Sequence, residues 1–181
     1  MFLSSRTLLV VILIAASLVA ESAAKSAWAL PNLELRNLSE AEQRREFNRI
    51  LVEVFSEARV MHGHRSVPIP RTDINRMQAI AWCESRGRPH VEPDGELMRN
   101  RTGSFVGFLQ VAHRVHQPEI QRLLYEEGRD VLGDVREYVH FTLFLYLADR
   151  RAGGDGFRPW PACRERTQVR RSPRLEVAEA H

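Results

Sequence analysis

Apolar residues recur at three- and four-residue spacing through Phe47, Ile50, Leu51, Val54, Phe55 and Ala58, a helical stripe of about five turns that buries one face. Ser39 and Glu42 precede it at capping-box spacing, the serine as N-cap and the glutamate three residues on. Residues 63–70 then break the pattern with Gly63, Pro68 and Pro70. A second helix follows, capped by Thr72 or Asp73, with Ile74, Met77, Ile80 and Ala81 on one face. Glu84 falls three residues after Ala81 on that same face, and Gly87 and Pro89 stop the helix just beyond. Residues 86–104 are turn-formers and charges, and Pro93–Glu96, "PDGE", places a short β-hairpin here. Gly103–Val111 is apolar with two glycines, and Pro118 suits the first turn of a helix carrying Ile120, Leu123 and Leu124. Asp134 caps the last long helix, whose buried side reads Val135, Val139, Leu143, Tyr146 and Leu147. The pattern predicts an α+β fold, predominantly helical with a small β-hairpin region, in one domain over residues 38–163. Residues 30–37 read as a linker and 164–181 as a mobile tail of alternating charges.

The amino-terminal 29 residues stand apart. Arg6 precedes an apolar run from Leu8 to Ala20, 13 residues long. A membrane-spanning helix needs about 20 residues, so the run is short for an anchor and right for the core of a signal peptide. Small residues at cleavage spacing follow as Ser22-Ala23-Ala24 or Ala27-Trp28-Ala29, and cleavage after Ala29 fits best because Pro31 and a capped helix come next. Export changes the meaning of Cys83 and Cys163, the two cysteines of the chain. Outside a reducing cytosol an even pair points to a disulfide, with two separate thiols as the alternative. Net charge is +3, carried almost wholly by arginine, with Lys25 the sole lysine. So small a surplus gives no argument for nucleic acid.

Glu84 is the position that the apolar pattern does not explain. A carboxyl at the last turn of a buried helix face sits where core meets cleft, and desolvation there raises its pKa. An acid still protonated near neutral pH can give its proton to a leaving oxygen, as glycosidic cleavage requires. The alternative is a glutamate facing water at a fraying helix end.

Two motifs weigh against that alternative. "CESRGRP" (Cys83–Pro89) followed by "GSFVGFLQV" (Gly103–Val111) resembles the lysozyme-like superfamily of soluble lytic transglycosylases and goose-type lysozymes. In those enzymes a serine follows the catalytic glutamate at a helix end, and a Gly-Leu-x-Gln-Ile/Val motif comes later; Gly107-Phe108-Leu109-Gln110-Val111 is similar to it. A cysteine directly before Glu-Ser resembles the resuscitation-promoting factors, and "PWPAC" (Pro159–Cys163) resembles the Trp-Cys ending of small actinobacterial and phage-type members. The resemblance spans residues 74–163. It implies a lysozyme-like fold and cleavage of the β-1,4 bond between N-acetylmuramic acid and N-acetylglucosamine in peptidoglycan. It makes Glu84 the general acid and then base, and puts Gln110 in the sugar cleft. Ser104 is a candidate hydroxyl for substrate or glutamate, and Gly107 a place where backbone approaches a sugar.

The departures bear on the chemistry. Where many transglycosylases carry Tyr-Asn-Ala-Gly, this chain reads Arg150-Arg151-Ala152-Gly153; Tyr146, one turn earlier, is the candidate substitute, with core packing as the plainer alternative. A second carboxylate is not evident either, since Glu92, Asp94 and Glu96 read as solvated turn charges. A single-acid mechanism with the substrate's N-acetyl group assisting, ending in a 1,6-anhydromuramic product, fits this pattern better than a hydrolytic lysozyme. A protein that keeps the cleft and binds peptidoglycan without turnover is the alternative from another class. His62 and His64, and His113 and His116, form short pairs without H-E-x-x-H spacing, so no metal and no cofactor is expected. Trp82 and Trp160 read as core rather than sugar platforms. The implied partners are glycan strands, with a wall-spanning apparatus as a second candidate and no membrane anchor once the signal is removed.

Overall fold

The computed structural model describes residues 30–167. The signal-peptide reading of residues 1–29 and the tail from 168 onward lie outside the described residues. The described elements are α1 (Asn32–Leu35), α2 (Glu40–Glu57), β1 (Arg59–His62), β2 (Arg65–Pro68), α3 (Arg71–Ser85), α4 (Gln117–Glu127), α5 (Val135–Arg151) and α6 (Pro161–Arg164). This is a mainly helical α+β architecture with one antiparallel hairpin.

Helix α2 begins as its cap chemistry dictates. The Glu42 amide donates to Ser39 Oγ, and the Ser39 amide donates back to Glu42 Oε2 at 2.9 Å. Phe47, Ile50, Leu51, Val54 and Phe55 bury one side, against α3 and α5. Asp134 caps α5 by accepting from the Arg136 and Glu137 amides at 2.8 and 3.0 Å. The buried surface of α5 is wider than its periodicity predicts, because Tyr138, Phe141 and Leu145 are enclosed as well, while Leu147 is only partly covered. Helix α5 is thus the central post of the core. Helix α3 takes no side-chain cap from Thr72 or Asp73; its N-cap is Pro70, and Asp73 instead accepts the Tyr146 hydroxyl at 2.7 Å.

The hairpin lies elsewhere than expected. It is formed by β1 and β2, paired from Arg59↔Pro68 to His62↔Arg65, around a two-residue turn in which Gly63 has φ +61°. Of the prolines that broke the sequence pattern, Pro68 ends β2 opposite Arg59, where a two-stranded ribbon loses little by lacking an amide donor, and Pro70 lies beyond the ribbon. Residues 86–111 hold three isolated bridges, Val91↔Leu97, Arg99↔Val106 and Val106↔Val111, in place of the expected hairpin. The "PDGE" turn is present, with the Gly95 amide donating to Glu92 O at 2.9 Å, but no ladder extends from it. Residues 30–37, read as linker, carry α1, whose Leu35 and Asn32 are buried; the Asn32 amide reaches Gly133 O at 2.9 Å. No helix among the described residues is long and apolar enough to cross a membrane.

Candidate functional site

The buried stripe of α3 runs through Ile74, Met77, Ile80 and Ala81 and finishes on Ser85, which is fully enclosed. Glu84 therefore emerges at the edge of the stripe, half-buried, where the helix stops. Ser85 closes that end: its hydroxyl donates to Trp82 O and accepts from the Gly87 amide, both at 3.3 Å. Arg86 then takes the left-handed conformation at φ +53°, turning the chain away from the helix axis. One reason for a serine after the glutamate is thus local, since it satisfies helix-end groups that would otherwise be orphaned.

Beyond the turn, the chain is pinned from three sides. Buried Gln43 accepts from the His90 and Val91 amides, both at 3.0 Å. His90 is fully enclosed among Phe47, Phe108 and Tyr138, and its Nδ1 accepts from the Phe108 amide at 3.0 Å. That bond puts the proton on Nε2, which finds no hydrogen-bond partner among the described residues. Tyr138 reaches up from α5, donating to Val106 O at 2.8 Å and accepting from the Leu109 amide at 3.2 Å. The Trp160 indole donates to Leu109 O at 2.7 Å from the opposite wall.

Gln110 is the residue presented by this clamped loop. Its backbone has φ +47°, and its Nε2 donates to Gly107 O at 2.8 Å. Gly107 has a packing reason of its own. A Cβ there would lie 2.7 Å from the Tyr138 ring and 2.8 Å from His90, so its bare Cα makes room for the clamp below the loop. Ser104 does not line the cleft; its amide donates to Asn100 Oδ1 at 2.9 Å and its carbonyl meets His113 Nδ1. Tyr146 is buried, its hydroxyl donating to Asp73 on α3, and it is not among the residues that line the cleft of Glu84.

Glu84 and Gln110 open onto one cleft of about 710 Å³. Its other walls are Phe105, Trp160, Pro159, Pro161 and the Cys83–Cys163 disulfide, whose Cα atoms are 5.8 Å apart across 80 residues of chain. Glu84 is the single acid lining it among the described residues, and Glu92, Asp94 and Glu96 lie outside it. Burial pushes the Glu84 carboxyl above its ordinary value, while the Cys163 amide and the Arg86 and Arg166 guanidiniums oppose the rise. Comparison with protein-family models, with curated proteins and with solved structures gives no match.

Trp82 points away from the cleft. It is half exposed, with the Arg44 guanidinium 3.4 Å above its ring, whereas Trp160 is buried and forms cleft wall and core at once. His116 packs edge-on to Phe141, and no group of three or more metal-ligating side chains exists among the described residues. Gln43, His90 and Tyr138 escaped the sequence reading. Gln43 lies four residues before Phe47, on the buried stripe of α2, which was a legible signal for a polar side chain with work in the core.

Proposed function

We propose that the protein is an exported peptidoglycan-cleaving glycosidase of lysozyme-like type, acting on the β-1,4 bond between N-acetylmuramic acid and N-acetylglucosamine as a lytic transglycosylase. The observation that carries the reading is the setting of Glu84: a half-buried carboxyl with a raised pKa, the one acid among the described residues that line a cleft of about 710 Å³. Gln110, similar to the glutamine of the family motif, opens on the same cleft, as do the aromatic side chains Phe105 and Trp160. The apolar run at Leu8–Ala20 and the Cys83–Cys163 bridge support export to an oxidising compartment.

In this reading Glu84 holds the proton that the departing glycosidic oxygen needs. Its carboxyl donates that proton as the C1–O bond breaks, and the substrate's own N-acetyl oxygen closes on C1 in place of a second enzyme carboxylate. The Glu84 carboxylate then takes the proton of the sugar's C6 hydroxyl, whose oxygen displaces the N-acetyl oxygen and forms the 1,6-anhydro ring. Water is neither consumed nor released. Arg86 and Arg166 steady the carboxylate between the two steps, while burial favours its acid form.

Mass spectrometry of peptidoglycan digests tests this reading. Anhydro-ended fragments, one water lighter than hydrolytic products, are expected. Hydrated reducing ends alone would make the protein a hydrolytic lysozyme, and wall binding without any fragments would make it a binding protein on the same cleft.

A further inference from the structure

Four arginines, Arg86, Arg88, Arg101 and Arg166, line the cleft together with the Glu84 carboxylate, its one acid among the described residues. Outside the cleft some arginines are matched, Arg49, Arg122 and Arg129 holding glutamates at 2.5, 2.8 and 2.7 Å, whereas others, Arg65 and Arg151 among them, form no salt bridge among the described residues. Among the described residues none of the four cleft arginines forms a salt bridge; Arg86 and Arg166 act on Glu84 only at longer range. Two of them are placed by the backbone rather than by a charge. Arg88 donates to Ser85 O and Arg99 O, at 3.4 and 3.1 Å, leaving its remaining donors to the cleft. Arg101 rides on a loop gathered by Asn100, whose Oδ1 accepts from the Ser104 and Phe105 amides and the Thr102 hydroxyl.

A neutral sugar backbone gives no reason for this. Aromatic walls and hydrogen bonds suffice to hold pyranose rings, whereas clustered like charges repel one another and destabilise the fold. Guanidinium presents a planar donor fork that matches a carboxylate, and low-dielectric walls such as Phe105, Pro159, Trp160 and Pro161 focus the field of the cluster into the cleft. We propose that the four arginines are a receptor for carboxylates carried on the strand, so that the cleft selects glycan bearing free carboxylate branches over uncharged glycan. The inference rests on the peptidoglycan reading, since that polymer carries peptide carboxylates on the muramic sugar beside the bond to be cut. The charge, not the sugar, then decides which strands are engaged.

The test uses the cleavage-blocked Glu84→Gln protein and two forms of the same soluble strands, one with its carboxylates intact and one with them capped as methyl amides. Calorimetric titration at low salt should show the capped strands binding about tenfold more weakly, the effect of one or two partly screened pairs. Adding Arg88→Gln and Arg101→Gln should clearly lower that ratio, with Arg86 and Arg166 carrying what is left, while Arg65→Gln with Arg151→Gln, which removes equal charge outside the cleft, should keep it. Equal binding of both strand forms, or a preference left undiminished by the Arg88/Arg101 replacement, would overturn the proposal. Polyphosphate displacing strands as readily as soluble carboxylated fragments do would also overturn it, by reducing the cleft to a general anion site. Cleavage by the parent protein is read separately. Carboxylate-dependent binding without cleavage would sink the catalytic reading alone, and cleavage without carboxylate preference would sink this one alone.

Discussion

Glu84 is balanced between opposed influences, and the balance has a direction that kinetics can read. Burial favours the protonated acid, and Arg86 and Arg166 favour the carboxylate. A general acid works only while protonated, so cleavage should fall on the alkaline side as pH passes the Glu84 pKa. Replacing Arg166 by Gln removes a positive charge that favours ionisation. The pKa should therefore climb and the alkaline limb move to higher pH; a limb displaced to lower pH would contradict this account of the cleft. His90 carries a second, independent pH signature. Enclosure drives its pKa from 6.5 down to about 3. Between those values the unfolded chain binds a proton that the folded one does not. The contribution of this group to stability is thus complete above pH 6.5 and is lost progressively as pH falls toward 3. Urea melts of the parent and of His90→Asn across that range should show the slope shrink when the imidazole is gone.

At the level of elements, the clamp on residues 106–111 matters most, because it fixes Gln110 against the cleft. Tyr138→Phe keeps the ring and removes the hydroxyl that serves two backbone groups, Val106 O and the Leu109 amide. Val106 O keeps the Val111 amide at 2.9 Å, but the buried Leu109 amide is left unpaired, which should cost about 1–3 kcal/mol in thermal or urea unfolding. Gly107→Ala should cost at least as much, since φ is +69° and the added methyl would meet Tyr138 and His90. What the sequence disclosed follows the same physics. The capping box at Ser39, the Asp134 cap and the apolar stripes of α2 and α3 are local, so spacing alone revealed them. The β1–β2 hairpin was missed because a short exposed ribbon has little of the alternation that burial imposes, and its prolines read as breakers. Tyr146 and Tyr138 both lie on α5, and periodicity cannot tell which reaches the loop below Gln110. That depends on where residues 86–111 return over the helix, and Gln43 and His90 decide it through long-range bonds.

Across the whole molecule the disulfide joins the two halves of the cleft. Cys83 precedes Glu84 on α3, and Cys163 ends the wall that begins at Pro159, so one covalent bond couples the acid to its facing wall. Closing 80 residues of chain stabilises the fold by roughly 4 kcal/mol in the chain-entropy view. Cys163→Ser should lower unfolding free energy by about that amount, and intact mass with and without reductant should differ by two protons. An unchanged mass would remove the bridge. Every larger inference nonetheless returns to Glu84. Purified peptidoglycan should be incubated with the protein and with Glu84→Gln, and the soluble products read by mass spectrometry. The account predicts muropeptides from the parent and none from the variant, at equal folding by circular dichroism. Equal release by both proteins would contradict it, because the cleft's one acid would then be a bystander.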